Sequence, residues 1–448
     1  MLELPAIAKT YELHYNFGLS RLFRAAGVGV EVQGRGARVS DHLGHEYLDF
    51  CTSFGVFNLG YANPRVAQAL LDQLETMPII PPQAQCPAQT ALEARLGKLL
   101  PPELAVHYYS GSGSEGVEMA LRLAHDFWRG RRRRLVTADR GYHGKTLGAL
   151  GVIGQKHLRK PFEPLFDDVV HVRSADPEQI VSAIDENCAA VIVEPVVAGN
   201  FLHVPAQGYL AAVRQRCDQT GTILIVDEVQ TAFGRTGHLM GIDRDGIVPD
   251  ILVASKSLTG GHLPFAVTSV HRRLTDELAT SGTAPIPLRS HMSGGPLACA
   301  VASAALDEIV ARNLPGNAAA MGERLLAGLK RLAAKFPRLI KRADGLGLMT
   351  GIEVSGRAVE FAIYLKMLRR SILIGLSLNP GSRTPIIRLY PPLDVSAADI
   401  DHVLNALEEA LMEIDRLPQA FLGAVHYATR YAPYFPAPLA RIARKMLS

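Results

Sequence analysis

Residues 222–261 read TILIVDEVQTAFGRTGHLMGIDRDGIVPDILVASKSLTGG. Two almost continuously apolar runs, 222–226 and 251–254, are each followed by a charged side chain: Asp227 directly after the first, Lys256 just past the second. Apolar runs without alternation predict strands buried on both faces, the mark of a parallel sheet covered by helices. In such sheets ligands bind outside the carboxyl ends of the strands. An acid and an amine delivered to that edge define a candidate site.

Working outward, similar short apolar strands are expected at 135–137, 189–193 and 266–270, with a helix at 210–217 between two of them. The alternation predicts an α/β class with a large, mainly parallel domain over residues 66–310. Before it, residues 1–65 carry β-like pieces at 28–32, 37–39 and 46–50, which predict a small antiparallel sheet. A Gly, Ser and aromatic-rich loop follows at 51–60, and Pro64 opens a helix whose apolar positions are Val66, Leu70, Leu71 and Leu74. Residues 311–417 change to an α+β pattern, with helices at 317–335 and 397–414 and strands at 347–354 and 386–390. They are expected to form a smaller domain together with the N-terminal segment. Residues 418–448 form an extension to which no role is assigned; Pro433, Pro436 and Pro438 argue against a continuous membrane-surface helix.

Composition narrows the function classes. The 448 residues are 20% charged and 48% hydrophobic, ordinary for a globular enzyme and too apolar for disorder. A net charge of +4 makes no electrostatic case for nucleic acid. The five cysteines have neither paired nor metal-like spacing, so free thiols and no metal site are expected. The N-terminus lacks a basic region followed by an apolar core, and no apolar run approaches the roughly 18 residues of a spanning helix. A cytoplasmic protein is the expectation.

Three further stretches bear on chemistry. Ser112-Gly113-Ser114 precedes a helix whose buried face is Val117, Ala120, Leu121, Ala124 and Trp128. Unpaired N–H groups and the helix dipole make such a turn a seat for a phosphate, although a serine-rich turn is also an ordinary cap. In Gly141-Tyr142-His143-Gly144, Tyr142 can stack on a flat ligand and His143 can hydrogen-bond beside it; a tight turn with a half-buried tyrosine is the plain alternative. A desolvated lysine forms Schiff bases with carbonyls, and a carboxylate in a dry pocket stabilises a protonated pyridine nitrogen. Together Lys256, Asp227, the aromatic turn and the anion seat supply the parts of a pyridoxal phosphate site.

The run from Asp227 through Glu228, Val229, Gln230 and on to Arg235-Thr236-Gly237, then Pro249-Asp250 and Lys256, resembles the signature of class III pyridoxal-phosphate aminotransferases. Ser112-Gly113-Ser114-Glu115, Tyr142-His143-Gly144, Glu194-Pro195-Val196, Gly294-Gly295-Pro296 and Arg388-Leu389-Tyr390-Pro391-Pro392 fall in the family's order. The resemblance implies fold type I, pyridoxal phosphate as cofactor, small amine and oxo-acid substrates, and a homodimer with active sites at the interface. Carried over, it assigns Lys256 to the Schiff base and the proton transfer, and Asp227 to the ring nitrogen. Val229 falls under the ring, Gln230 toward the phenolic oxygen, Tyr142 over the ring, and Ser112, Gly113 and Ser114 at the phosphate. His143 and Glu194 join the cofactor-binding set. Arg388 matches the arginine that grips the carboxylate, and Phe54 walls the substrate end.

Departures bear on specificity. Many relatives read E-P-x-Q-G-E, whose last acid masks the arginine; here Gly199 stands at that place, within Val197-Ala198-Gly199-Asn200, which resembles the aminomutase branch. Arg388 with Pro391-Pro392-Leu393, and the segment 142–165, resemble true transaminases of the putrescine type. His291 occupies the position of a threonine that reaches the phosphate across the dimer, so Ser290, Ser293 or His291 itself is the candidate there. The expected activity is transamination between an amine or amino acid and an oxo acid such as pyruvate or 2-oxoglutarate. An aminomutase or a decarboxylating enzyme on the same scaffold remains the alternative.

Overall fold

The computed structural model describes residues 31–80, 86–199, 202–280, 294–377 and 385–417, with Thr10 and Ala84. The expected strand at 28–32 lies partly outside these residues; Asn200, Ser290, His291, Ser293 and the extension at 418–448 lie wholly outside. The chain opens with β1 (Glu31–Arg35), β2 (Arg38–Asp41) and β3 (Glu46–Asp49), paired antiparallel in that order.

Seven strands then build the central sheet: β4 (Val106–Ser110), β5 (Arg134–Ala138), β6 (Val169–Val172), β7 (Cys188–Val193), β8 (Ile223–Asp227), β9 (Ile251–Ala254) and β10 (Ala266–Val270). Their order is β4-β10-β9-β8-β7-β5-β6. Every residue of β7, β8 and β9 is buried. Along β8, Ile223 and Ile225 pack into one apolar layer with Val117 and Leu121 of the helix Gly113–Trp128, whereas Leu224 and Val226 pack into the other. Burial on both faces is why the run 222–226 shows no alternation.

The sheet departs from the sequence expectation at β10, which runs antiparallel to both β9 and β4. Only residues 255–265 join β9 to β10, too few for the helical crossover that parallel pairing needs, so the chain reverses. That reversal carries Lys256. Asp250 secures the opposite end of the same strands: its carboxylate accepts from Leu224 N at 2.8 Å and Arg214 Nη1 at 2.9 Å, and pairs with Arg273.

Glu228, directly after β8, is fully buried and accepts from Gly241 N at 2.8 Å, Ile242 N at 2.7 Å and the Thr231 hydroxyl. Burial pushes its carboxyl up to about 7, against the pull of those donors. Replacing Glu228 by alanine strands three donors, so a loss of about 3 kcal/mol is expected. Chemical denaturation measures it, and an unchanged midpoint contradicts the staple.

The chain ends on β11 (Ile340–Leu346), β12 (Met349–Val354), β13 (Ile372–Leu373) and β14 (Ile386–Leu389), with helices at Leu314–Lys335, Arg357–Arg369 and Ala397–Asp415. β11, β12 and β14 form an antiparallel sheet, while β13 pairs in parallel with β3. The helix Pro64–Thr76 starts at an Asn63 cap, as Pro64 predicts, but Leu71 and Leu74 on its expected apolar face are 53% and 45% exposed. Nothing else among the described residues of this chain covers them. No described helix is long and apolar enough to cross a membrane.

Candidate active site

Asp227 leaves the carboxyl end of β8 beside His143, with Oδ2 2.9 Å from His143 Nδ1 and Oδ1 accepting from Val229 N at 3.0 Å. Both side chains of the pair are almost wholly buried. The Thr137 hydroxyl donates to Val152 O at 3.0 Å and therefore turns a lone pair toward His143 Nε2, 3.4 Å away. Burial opposes a charge on His143, yet the hydrogen bond and charge of Asp227 outweigh it and hold the imidazole above its ordinary pKa. A carboxylate held from behind by an imidazole whose proton it favours has one direction left in which to act, into the cavity.

The aromatic turn is fastened to the same place. Tyr142 N donates to Glu194 Oε2 at 3.0 Å, and burial pushes the Glu194 carboxyl up to about 7. Gly144 has φ +126°, and a Cβ there would collide with Ser114, so glycine at this position lets the aromatic turn close onto the Ser112–Ser114 turn. Ser112 caps the helix Gly113–Trp128 by accepting from Glu115 N at 3.3 Å, while Glu115 Oε2 accepts from Gly111 N at 2.7 Å. A Cβ on Gly113 would lie 2.7 Å from Val229 Cγ2, so the helix N-terminus meets the floor of the cavity only as glycine.

Lys256 sits in the left-handed region at φ +47°, costing on the order of 1 kcal/mol for a side chain of this kind. Its neighbours fix that turn: Ser255 Oγ donates to Phe265 O at 2.7 Å, and Thr259 Oγ1 donates to Leu263 O at 2.5 Å. Burial draws the Lys256 amine down to about 8, against the attraction of Asp227 and Glu194.

A cavity of about 410 Å³ joins these parts, and Ser112, Gly113, Ser114, Tyr142, His143, Glu194, Asp227, Val229, Gln230 and Lys256 all border it. That is every cofactor candidate within the described residues; His291 and Ser293 fall outside them. The shape suits a flat ring with an anionic end: N–H groups at one side, a carboxylate at another, an aliphatic floor at Val229 and an amine in reach. The residues present therefore fit pyridoxal phosphate. Val56, His262 and Phe265 also border the cavity; Val56 belongs to the Gly, Ser and aromatic-rich loop at 51–60, whereas His262 and Phe265 arrive from a link that the sequence did not mark.

Arg388 and Phe54 do not border that cavity; they pack beside it. The guanidinium carbon of Arg388 lies 5.5 Å from the Phe54 ring centre. Nη2 donates to Ala198 O at 3.4 Å and to Gly199 O, Nη1 donates to Leu376 O at 3.4 Å, and Nε has no partner. Phe54 reaches this position through left-handed backbone at Thr52, Ser53, Phe54 and Gly55, with φ of 44°, 52°, 58° and 85°. Thr52 Oγ1 anchors the turn to Tyr390 O at 2.6 Å. Periodicity in the sequence gives no notice of such a turn.

The aminotransferase class-III family matches residues 27–411. A putrescine aminotransferase from Pectobacterium atrosepticum is 35% identical over 382 residues, covering 84% of this chain and 80% of that protein. Among solved structures, an (S)-enantioselective omega-transaminase from Thermomicrobium roseum superposes with a TM-score of 0.82 at 28% identity, over 92% of this chain and 99% of that one. An ornithine aminotransferase from Toxoplasma gondii has the same fold, with a TM-score of 0.83 at 24% identity over 93% and 96% of the two chains. The chain belongs to the class-III aminotransferases, pyridoxal-phosphate-dependent transaminases that move an amino group between an amine or amino acid and an oxo acid.

Proposed function

We propose that this transaminase takes its amino group from a terminal amine, of the kind named in its putrescine-type relative, and passes it to an oxo acid held by Arg388. The observation that carries the residue roles is the convergence of Lys256, Asp227, Tyr142 and the Gly113–Ser114 turn on one cavity. When bound, pyridoxal phosphate supplies a ring that accepts the electrons of the carbon losing its proton. Lys256 Nζ would be the group that takes that proton and gives it back to the carbon on the other side of the imine nitrogen. Asp227, backed by His143, would hold a proton on the ring nitrogen. The Gly113 and Ser114 N–H groups would hold the phosphate, Val229 and Tyr142 would enclose the ring and Gln230 would serve its phenolic oxygen, while Glu194 holds Tyr142 in place.

A lysine amine near 8 has a direct consequence for cofactor loading. Only the neutral amine adds to an aldehyde. Uptake of pyridoxal phosphate by the apoprotein is therefore expected to rise with pH through about 8 and level off above it. Stopped-flow absorbance measures this; an inflection at the ordinary lysine value contradicts a desolvated amine.

Specificity rests on Arg388 and on Gly199. A Cβ at Gly199 would lie 2.5 Å from Gln155 Nε2 and 2.8 Å from Tyr142 Cβ, so an acid that masks the arginine has no room there. Main-chain carbonyls face Arg388 instead. For Arg388→Gln, KM for pyruvate or 2-oxoglutarate is expected to rise roughly a hundredfold while the amine half-reaction keeps its rate. Steady-state assays with paired amine and oxo-acid substrates decide the activity itself. Absence of transfer from any amine or amino acid rejects the donor assignment, and isomerisation of an amino aldehyde without an acceptor favours the aminomutase.

The pairing of β3 with β13 supports grouping residues 1–65 with 311–417 as one smaller domain around the larger one at 66–310. Exposed Leu71, Leu74, Met77 and Ile79 support a homodimer, because a second copy is the simplest cover for an apolar strip of that size. Five free cysteines suit a reducing, cytoplasmic setting.

A further inference from the structure

Arg235 heads the largest fully buried side chains of the protein, at 1% exposure. Its Nη1 donates to Leu348 O at 3.0 Å and Pro391 O at 2.6 Å, its Nη2 donates to the Asn58 side-chain oxygen, and its Nε has no acceptor. These partners are neutral; among the described residues no carboxylate pairs with it. Arg388 is 3% exposed and resembles it: among the described residues its donors meet the main-chain carbonyls of Leu376, Ala198 and Gly199, the Tyr390 side chain acts on it from beside, and its Nε has no acceptor. Glu360, whose carboxylate feels Arg388, is engaged with Ser377 N at 2.6 Å.

The two cations are linked through Tyr390. The Arg235 guanidinium carbon lies 5.9 Å from the Tyr390 ring centre, and Tyr390 is two residues beyond Arg388 in sequence. Gly55 closes over both groups, since a Cβ there would lie 3.5 Å from Arg235 Nε and 3.7 Å from Tyr390 Cδ2. Phe54, its neighbour, covers the Arg388 guanidinium. Both arginines act on Tyr390, and burial of charge without a paired counter-ion is costly unless an anion completes the set. Burial accordingly draws Arg235 down to about 9, and both arginines act on the Lys256 amine.

We infer that Arg235 is a positioning residue of the carboxylate site, whose buried, acid-free charge behind Tyr390 biases the enzyme toward oxo acids over uncharged aldehydes. Arg388 touches the substrate; Arg235 acts through the field it adds and through its hold on Pro391 and Asn58. This rests on the reading of Arg388 as the carboxylate grip.

The test compares pyruvate with propanal as acceptors for the aminated holoenzyme, in Arg235→Gln, Asn58→Asp and Arg388→Gln. Asn58→Asp is the deciding variant, because it is isosteric and places a counter-ion against Arg235 at the loss of one bond, from Asn58 Nδ2 to Phe233 O at 3.2 Å, which weakens both acceptors alike. The visible absorbance of the loaded cofactor certifies the fold. The expected result is a roughly tenfold fall in the preference for pyruvate in both Arg235→Gln and Asn58→Asp, with propanal unchanged in Arg235→Gln; tenfold corresponds to about 1.4 kcal/mol. A purely structural role slows both acceptors alike, and that outcome, or an unchanged preference in Asn58→Asp, overturns the inference. If Arg388→Gln leaves the preference intact, the reading of Arg388 falls instead.

Discussion

Lys256→Ala is expected to abolish the visible absorbance of the loaded enzyme and to lower turnover by at least about a thousandfold. Among the described residues Lys256 is the only lysine bordering the cavity, which it shares with Asp227 and the helix N-terminus at Gly113, and its backbone is left-handed at φ +47°. On the roles proposed above, alanine removes both the covalent tether and the group that moves the proton. It leaves the strained backbone in place, because Ser255 and Thr259 hold that turn through their own bonds to Phe265 and Leu263. Thermal stability without cofactor should therefore change little. Spectroscopy and a single-turnover assay make the comparison, and a variant that retains the band shows that another amine carries the cofactor.

Asp227→Asn is expected to lower kcat by roughly a hundred- to a thousandfold while the enzyme still takes up cofactor. The amide cannot hold a proton on the ring nitrogen as a carboxylate does. It also leaves His143 buried without its charge partner, a change of about 3 to 5 kcal/mol in comparable buried pairs. The sign of the pH dependence follows from His143, whose pKa in the folded protein is raised. Its contribution to stability is complete below the ordinary histidine value and fades as pH rises through the raised one. The gap in melting temperature between wild type and Asp227→Asn should be wider at pH 6 than at pH 9. A gap that widens with pH contradicts a protonated His143 beside Asp227.

Much of the site was legible because its residues stand at strand ends and in turns whose residue types are restrictive. Asp227 and Lys256 interrupt apolar runs, and the serine and glycine turn at 112–114 opens a helix with a clear apolar face. The resemblance to class III aminotransferases then assigned them partners, and the cavity brings those partners together. Less was legible where distant segments meet. The contact of Gly144 with Ser114 and the bond of Thr137 to Val152 join residues with no common periodicity. Arg235 stood within the signature as one basic residue among loop residues, and only its burial against Tyr390 and Asn58 sets it apart.

By itself the sequence determined the α/β class, the buried strands that carry the acid and the amine, and the chemistry those two groups can do. These follow from local properties: apolar runs must be covered on both faces, and a charge at their end must face a cavity or a partner. The tertiary structure alone decided the reversal into β10, the left-handed turn that sets Phe54 over Arg388, and the neutral hydrogen-bond partners that buried Arg235 finds among the described residues. Each of these is settled by what remote segments leave open: too short a link for a crossover, a cap from Tyr390 O that holds strained backbone, and carbonyls where an acid has no room. Competition for space and for hydrogen-bond partners between segments hundreds of residues apart is a property of the packed chain.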